Sequence, residues 1–86
     1  MEINGLIKIL KEKLTKKIKI NNIKIEDKSF LHRKHKNFDK KKFHIKLTID
    51  SPELKKKGSI EANRKIHDIL KDEIYENIHS LQIIID

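Results

Sequence analysis

Cysteine is absent from this chain of 86 residues, which excludes a disulfide framework, a thiol nucleophile and any cysteine-ligated metal held by the chain alone. A metal would have to be met by histidine, carboxylate or a partner's ligands. Backbone punctuation is sparse, limited to Gly5, Gly58 and Pro52. That is too little for a linker or low-complexity tail, so a single domain spanning 1–86 is predicted. No apolar run approaches the roughly 20 residues that cross a bilayer. The N-terminus alternates apolar and charged residues where a signal peptide would carry an unbroken apolar stretch. The expectation is an intracellular protein, cytoplasmic rather than organellar, with no membrane partner.

Arginine and aromatic residues are also scarce. The 21 basic side chains include only two arginines, Arg33 and Arg64, against 13 acidic residues and a net charge of +8. Nucleic-acid readers draw on arginine for bidentate contacts and on aromatic rings for stacking. A lysine-rich chain that is also rich in Ile and Asn fits AT-rich codon usage, and a solvated lysine surface is the preferred reading over a dedicated phosphate-binding face. Phe30, Phe38, Phe43 and Tyr75 are expected in the core or anchoring loops. Catalytic patterns are missing as well: there is no glycine-rich phosphate loop, no carboxylate pair in an apolar setting, and no serine with an adjacent histidine and acid. So short a chain buries a modest fraction of its surface, which disfavours a deep enclosed site, and a non-enzyme is predicted.

What is present is clear periodicity. Ile3, Leu6, Ile7, Leu10 and Leu14 recur at three- and four-residue spacing and predict an amphipathic helix from about Glu2 to Lys16. Alternation from Ile18 to Ile25, interrupted by an Asn21-Asn22 pair suited to a turn, places a first strand over Ile23–Asp27. Residues His32 to Lys42 are basic and polar, as an exposed loop would be, and a second strand follows over Lys42–Ile49. Ser51 can cap, and Pro52 can open, a short helix reaching Lys57. Gly58 ends it. Ser59 is then expected to cap a long helix to about Glu76, with Ile60, Ile66, Ile69, Leu70, Ile74 and Ile78 on or near one face. Leu81–Ile85 reads as a buried last strand.

This order, helix, strand, strand, short helix, long helix, strand, predicts an α+β fold: a three-stranded mixed sheet with helices on one face. The consecutive strands pair antiparallel, and the long helix supplies the crossover to a parallel third strand.

Two segments carry a family resemblance. Asp27-Lys28-Ser29-Phe30-Leu31-His32 at the exit of the first strand, and Glu73-Ile74-Tyr75-Glu76-Asn77-Ile78-His79-Ser80-Leu81-Gln82-Ile83 near the C-terminus, resemble the BolA family over about 23–86. The BolA fold is similar to a type II KH domain. The Gly-x-x-Gly loop of nucleic-acid-binding KH domains is absent, so that likeness is architectural. The resemblance implies a chain that is monomeric alone and binds a monothiol glutaredoxin, sharing a two-iron two-sulfur cluster that it does not hold by itself. It further implies one ligand from the loop after the first strand, where His32 stands, and one from the start of the long helix. Neutral imidazole suits iron in such a role. The helix position departs from the family, since Asn63 stands where a histidine is usual and is followed by Arg64. His67, one turn on, faces the same way. Some relatives act as transcriptional regulators, and Lys55, Lys56, Lys57, Arg64 and Lys65 form the basic cluster that would touch nucleic acid.

Each histidine also has a plain reading. His32 and His35 lie in a basic loop as solvated side chains unless the family role holds for His32. His44, between Phe43 and Ile45, projects opposite them to solvent. His67 is a surface residue. His79 caps the long helix or packs against the sheet end. Asp27 and Ser29 can form an Asx-type or hydroxyl turn that ends the strand.

Overall fold

The computed structural model of the chain describes residues 2–29 and 42–86. The elements run α1 (Ile3–Lys17), β1 (Asn22–Asp27), β2 (Phe43–Asp50), α2 (Pro52–Lys57), α3 (Ser59–Ile69), α4 (Lys71–Asn77) and β3 (Ile78–Ile85). The sheet order is β1-β2-β3, with β2 antiparallel to β1 and parallel to β3. This is the predicted α+β arrangement. Phe30 and Phe38 lie outside the described residues.

Side-chain alternation sorts the sheet into two faces. Ile45, Leu47 and Ile49 of β2 stand opposite Asp27, Ile25 and Ile23 on one side and Leu81, Ile83 and Ile85 on the other. This row packs against the helices. Leu6, Leu10 and Leu14 of α1 lock onto it together with Leu54 of α2 and Ala62, Ile66 and Leu70 of the crossover, and all seven are fully buried. Burying a leucine or isoleucine side chain is worth about 1.5–3 kcal/mol, so this layer holds the fold together. Lys24, Glu26, Lys46, Thr48, Gln82 and Ile84 face the other way. There Glu26 takes Lys24 at 3.0 Å and Lys28 at 3.6 Å. Its hydrogen bond from Lys24 holds the carboxyl below the usual glutamate range.

Ser51 behaves as its position predicts. Its hydroxyl accepts from Leu54 N–H at 3.3 Å, with Pro52 opening the helix. It also donates to the Lys19 carbonyl at 2.8 Å, tying the end of β2 to the segment after α1. Asn22 begins β1 instead of forming a turn, and Asn21 N–H donates to the Asp50 carbonyl at 2.8 Å.

The crossover corrects the sequence reading in four places. Ser59 does not cap α3; Gly58 is the N-cap, with no side-chain cap bond, and its carbonyl accepts from Ala62 N–H at 3.0 Å. Ser59 is already helical, so its hydroxyl cannot reach back. The single long helix is interrupted at Leu70, whose φ of −98° and ψ of 15° lie outside the helical range. Bonds from Leu70 N–H to Ile66 and from Ile74 N–H to Leu70 carry the path across the break. Ile60 is 71% and Tyr75 82% exposed, so neither joins the core. The last strand begins at Ile78, three residues earlier than predicted, and as an edge strand it has only Ile78 buried. α4 has no fully buried residue and is tied to α1 by Lys13, whose ammonium bonds both Glu73 oxygens at 2.8 and 2.7 Å. That hydrogen bond holds Lys13 above the ordinary lysine range.

Gly58 has φ 83° and ψ 161°, a region reserved for glycine, although the space around a Cβ there is open. Gly58→Ala is therefore expected to lower stability by about 1–3 kcal/mol through backbone strain alone. A urea titration at unchanged m-value would show it as a lower midpoint.

Candidate functional site

The exit of β1 is fastened to the start of β2. Asp27 Oδ1 accepts from Ser29 N–H at 2.9 Å, the Asx-type turn that the sequence allowed. Lys28 N–H donates to the His44 carbonyl at 2.7 Å, and His44 N–H donates to Ser29 Oγ at 3.1 Å. His32, His35 and Arg33 belong to residues 30–41, outside the described residues.

His44 departs from its expected exposure, with 7% of its surface accessible. Its Nδ1 lies 2.6 Å from Ser80 Oγ, with the imidazole tautomer deciding which group donates. Its ring sits 4.9 Å from that of His79, tilted by 52°. The cause is a register step. Phe43 is opposite Ile78 but His44 is opposite Ser80, so His79 is an extra residue in β3. Such a bulge re-aims side chains locally. Of its two expected roles His79 takes the second; it is an exposed residue of β3 packed on a neighbouring imidazole at the sheet end. Phe43, beside this pair, is half-buried against the core as expected.

Asn63, at the helix position that the resemblance singled out, and His67 one turn on both lie on α3. Asn63 Nδ2 donates to the Ser59 carbonyl at 2.8 Å within its own helix. Ala62 and Ile66 face the core, while Ile60, Arg64 and His67 are exposed, at spacings that place them on one outward stripe. Gly58 and Ser59 share a shallow groove with Leu54, Lys55 and Ile85, and Ile85 pairs with Ile49. Ile49 is five residues along β2 from His44, about 16 Å at strand rise. The start of α3 and the described exit of β1 at Ser29 thus stand at opposite ends of the sheet. A crossover between parallel strands must begin where the first strand ends and finish where the next begins, and this accounts for the separation.

Lys55, Lys56 and Lys57 are exposed on α2. Arg64, Lys65 and Lys57 share a groove with Glu61 and Asp68, and Lys65 lies 3.9 Å from Glu53. The basic cluster is therefore interleaved with acids. Among the described residues no group of three or more histidine, aspartate or glutamate side chains could hold a metal ion.

Comparison with known proteins supplies the family. The model described as BolA-like protein matches residues 14–85. This chain belongs to the BolA-like family. A solved structure of the BolA domain of SufE1 from Arabidopsis thaliana superposes with a TM-score of 0.79 at 29% identity, covering 100% of this chain and 93% of that one. BolA1 from Arabidopsis thaliana shares the fold, with a TM-score of 0.78 at 24% identity over 93% of this chain and 88% of that one. A curated relative, SufE-like protein 1, chloroplastic/mitochondrial, from Arabidopsis thaliana, is 30% identical over 80 residues, 87% of this chain and 22% of its own length. This BolA-like chain thus spans about a fifth of that relative. The relative's organellar designation gives no support to a cytoplasmic expectation. No described helix is long and apolar enough to cross a membrane.

The donor set of this BolA-like domain is imidazole, and the described residues bring together one pair, His44 and His79. Two imidazoles alone do not make up the four ligands of a two-iron two-sulfur cluster. Sequence reasoning passed over this pairing because it depends on the β2–β3 register. The available signal was the two matched dipeptides, Phe43-His44 and Ile78-His79, each at the head of an apolar strand. Ser80→Ala removes the hydroxyl paired with the His44 ring and is expected to cost about 0.5–1.5 kcal/mol. Thermal unfolding would measure the loss, and the His79 ring proton shifts should move with it.

Proposed function

We propose that this chain is a non-enzymatic BolA-like adaptor that docks a monothiol glutaredoxin and takes part in iron–sulfur cluster handling, the cluster being cargo held chiefly by the partner. Membership of the family over residues 14–85 carries the reading. The placement of its imidazoles refines it. His79 is exposed, beside His44, whose backbone amide bonds Ser29 three residues before His32. Of the exposed histidines described, His79 is the one packed on that anchored residue, and it is preferred to His67 as the second ligand. The role left to this chain is to orient that ring, through the bulge and through the His44–Ser80 bond, at a surface open to another protein.

The acids interleaved with Lys57, Arg64 and Lys65 favour the adaptor over a nucleic-acid-binding regulator. A phosphate-tracking surface would be expected to carry cations with few anions between them.

Mixing the protein with a monothiol glutaredoxin, glutathione and iron is expected to change the visible absorption and circular dichroism of the cluster relative to the glutaredoxin homodimer. His79→Ala and His32→Ala should each reduce that change, and His67→Ala should leave it intact. Spectra unaltered by mixing would refute cluster sharing. A change that survives His79→Ala but is lost in His67→Ala would return the second ligand to the helix.

A further inference from the structure

β3 forms one edge of the sheet, and among the described residues no strand pairs with its outer side. An edge strand offers unpaired N–H and C=O groups to any other strand, and proteins usually guard it with charge, proline or a covering element. The opposite edge is guarded: β1 carries Lys24, Glu26 and Asp27 within six residues. β3 carries no charged side chain from Ile78 to Ile85. Asn77–Ile85 is the longest stretch without Asp, Glu, Lys or Arg in a chain of which 40% is charged. Leu81, Ile83 and Ile85 continue the core row yet remain partly exposed, as does Ile84 on the other face.

We propose that this edge is a self-association surface, on which two copies of the chain pair β3 with β3 antiparallel about a two-fold axis to give a six-stranded sheet. Three observations select a second copy as the occupant. An uncharged strand pairing with itself opposes no like charges, whereas β1 would set charged side chains against one another. A two-fold axis normal to the sheet brings the half-buried Leu81, Ile83 and Ile85 rows of the two copies together under one continuous helix layer. The outer edges of the product are the two guarded β1 strands, so the assembly closes at two copies instead of extending into a fibre. The net charge of +8 on each copy works against this contact. Association is therefore weak and strengthens with salt, opposite to a contact built on complementary charge, and the monomer expected from the family resemblance is the low-salt state.

Sedimentation equilibrium of the protein, to millimolar concentration, tests this at about 0.01 M and about 1 M sodium chloride, where the Debye length is roughly 30 Å and 3 Å. The apparent mass should rise from 10.3 kDa toward about twice that value with concentration, and further at high salt. Gln82 is exposed near the middle of β3, so its substitution spares the core. Gln82→Lys should hold the mass at the monomer value, Gln82→Thr should behave as the parent, and an equimolar mixture of Gln82→Lys and Gln82→Glu should restore the doubled mass. Circular dichroism checks that each variant is folded. Monomer mass in every condition, association that weakens with salt, or a Gln82→Lys variant that associates like the parent would each overturn the proposal.

Discussion

β2 is hydrogen-bonded along both of its edges, and everything else takes its position from that strand. Its alternation turns Ile45, Leu47 and Ile49 toward the helices, where the leucines of α1 close over them. Antiparallel pairing with β1 delivers Ser29 to the head of β2. Parallel pairing with β3 obliges the crossover to run back over the sheet, so it starts beside Ile49 and Ile85 and finishes beside His44 and His79. The heads of the two parallel strands are the place where imidazoles gather, and the tail of β2 is the place where Gly58 turns one helix into the next.

The energetics divide along the same line. Six fully buried aliphatic side chains on the helices, with Leu70 between two of them, cover the sheet, while the ion pairs lie outside that core. The site contributes little to that core. His44 is the buried imidazole, held through Ser80, and His79 is the exposed one, set outward by an extra residue in its strand.

Much of this was legible in the sequence, for local reasons. Leu6, Leu10 and Leu14 announce α1 by spacing; Ser51 and Pro52 fix the start of α2 by capping chemistry; Asp27 and Ser29 form the turn their side chains favour. Other features were illegible because they are tertiary. No glycine, proline or capping residue marks the interruption at Leu70, whose side chain is buried while the chain redirects. Ser59 was the expected cap of α3, and Gly58, with its glycine-only backbone, stands in that place instead. Period-two alternation told which way His44 points but not that the surroundings would bury it. The meeting of His44 with His79 rests on a non-local register with a bulge in it. The distance between the exit of β1 and the start of α3 was within reach of the crossover rule.

A chemical-shift map of the isotope-labelled protein titrated with a monothiol glutaredoxin tests the central claim most directly, that the partner surface lies at the heads of β2 and β3. The account predicts perturbations gathered at Ser29, His44, His79 and Ser80, with Ser59 and Ile60 silent. Perturbations centred on the start of α3 and the α2 lysines, with His79 unmoved, would contradict it.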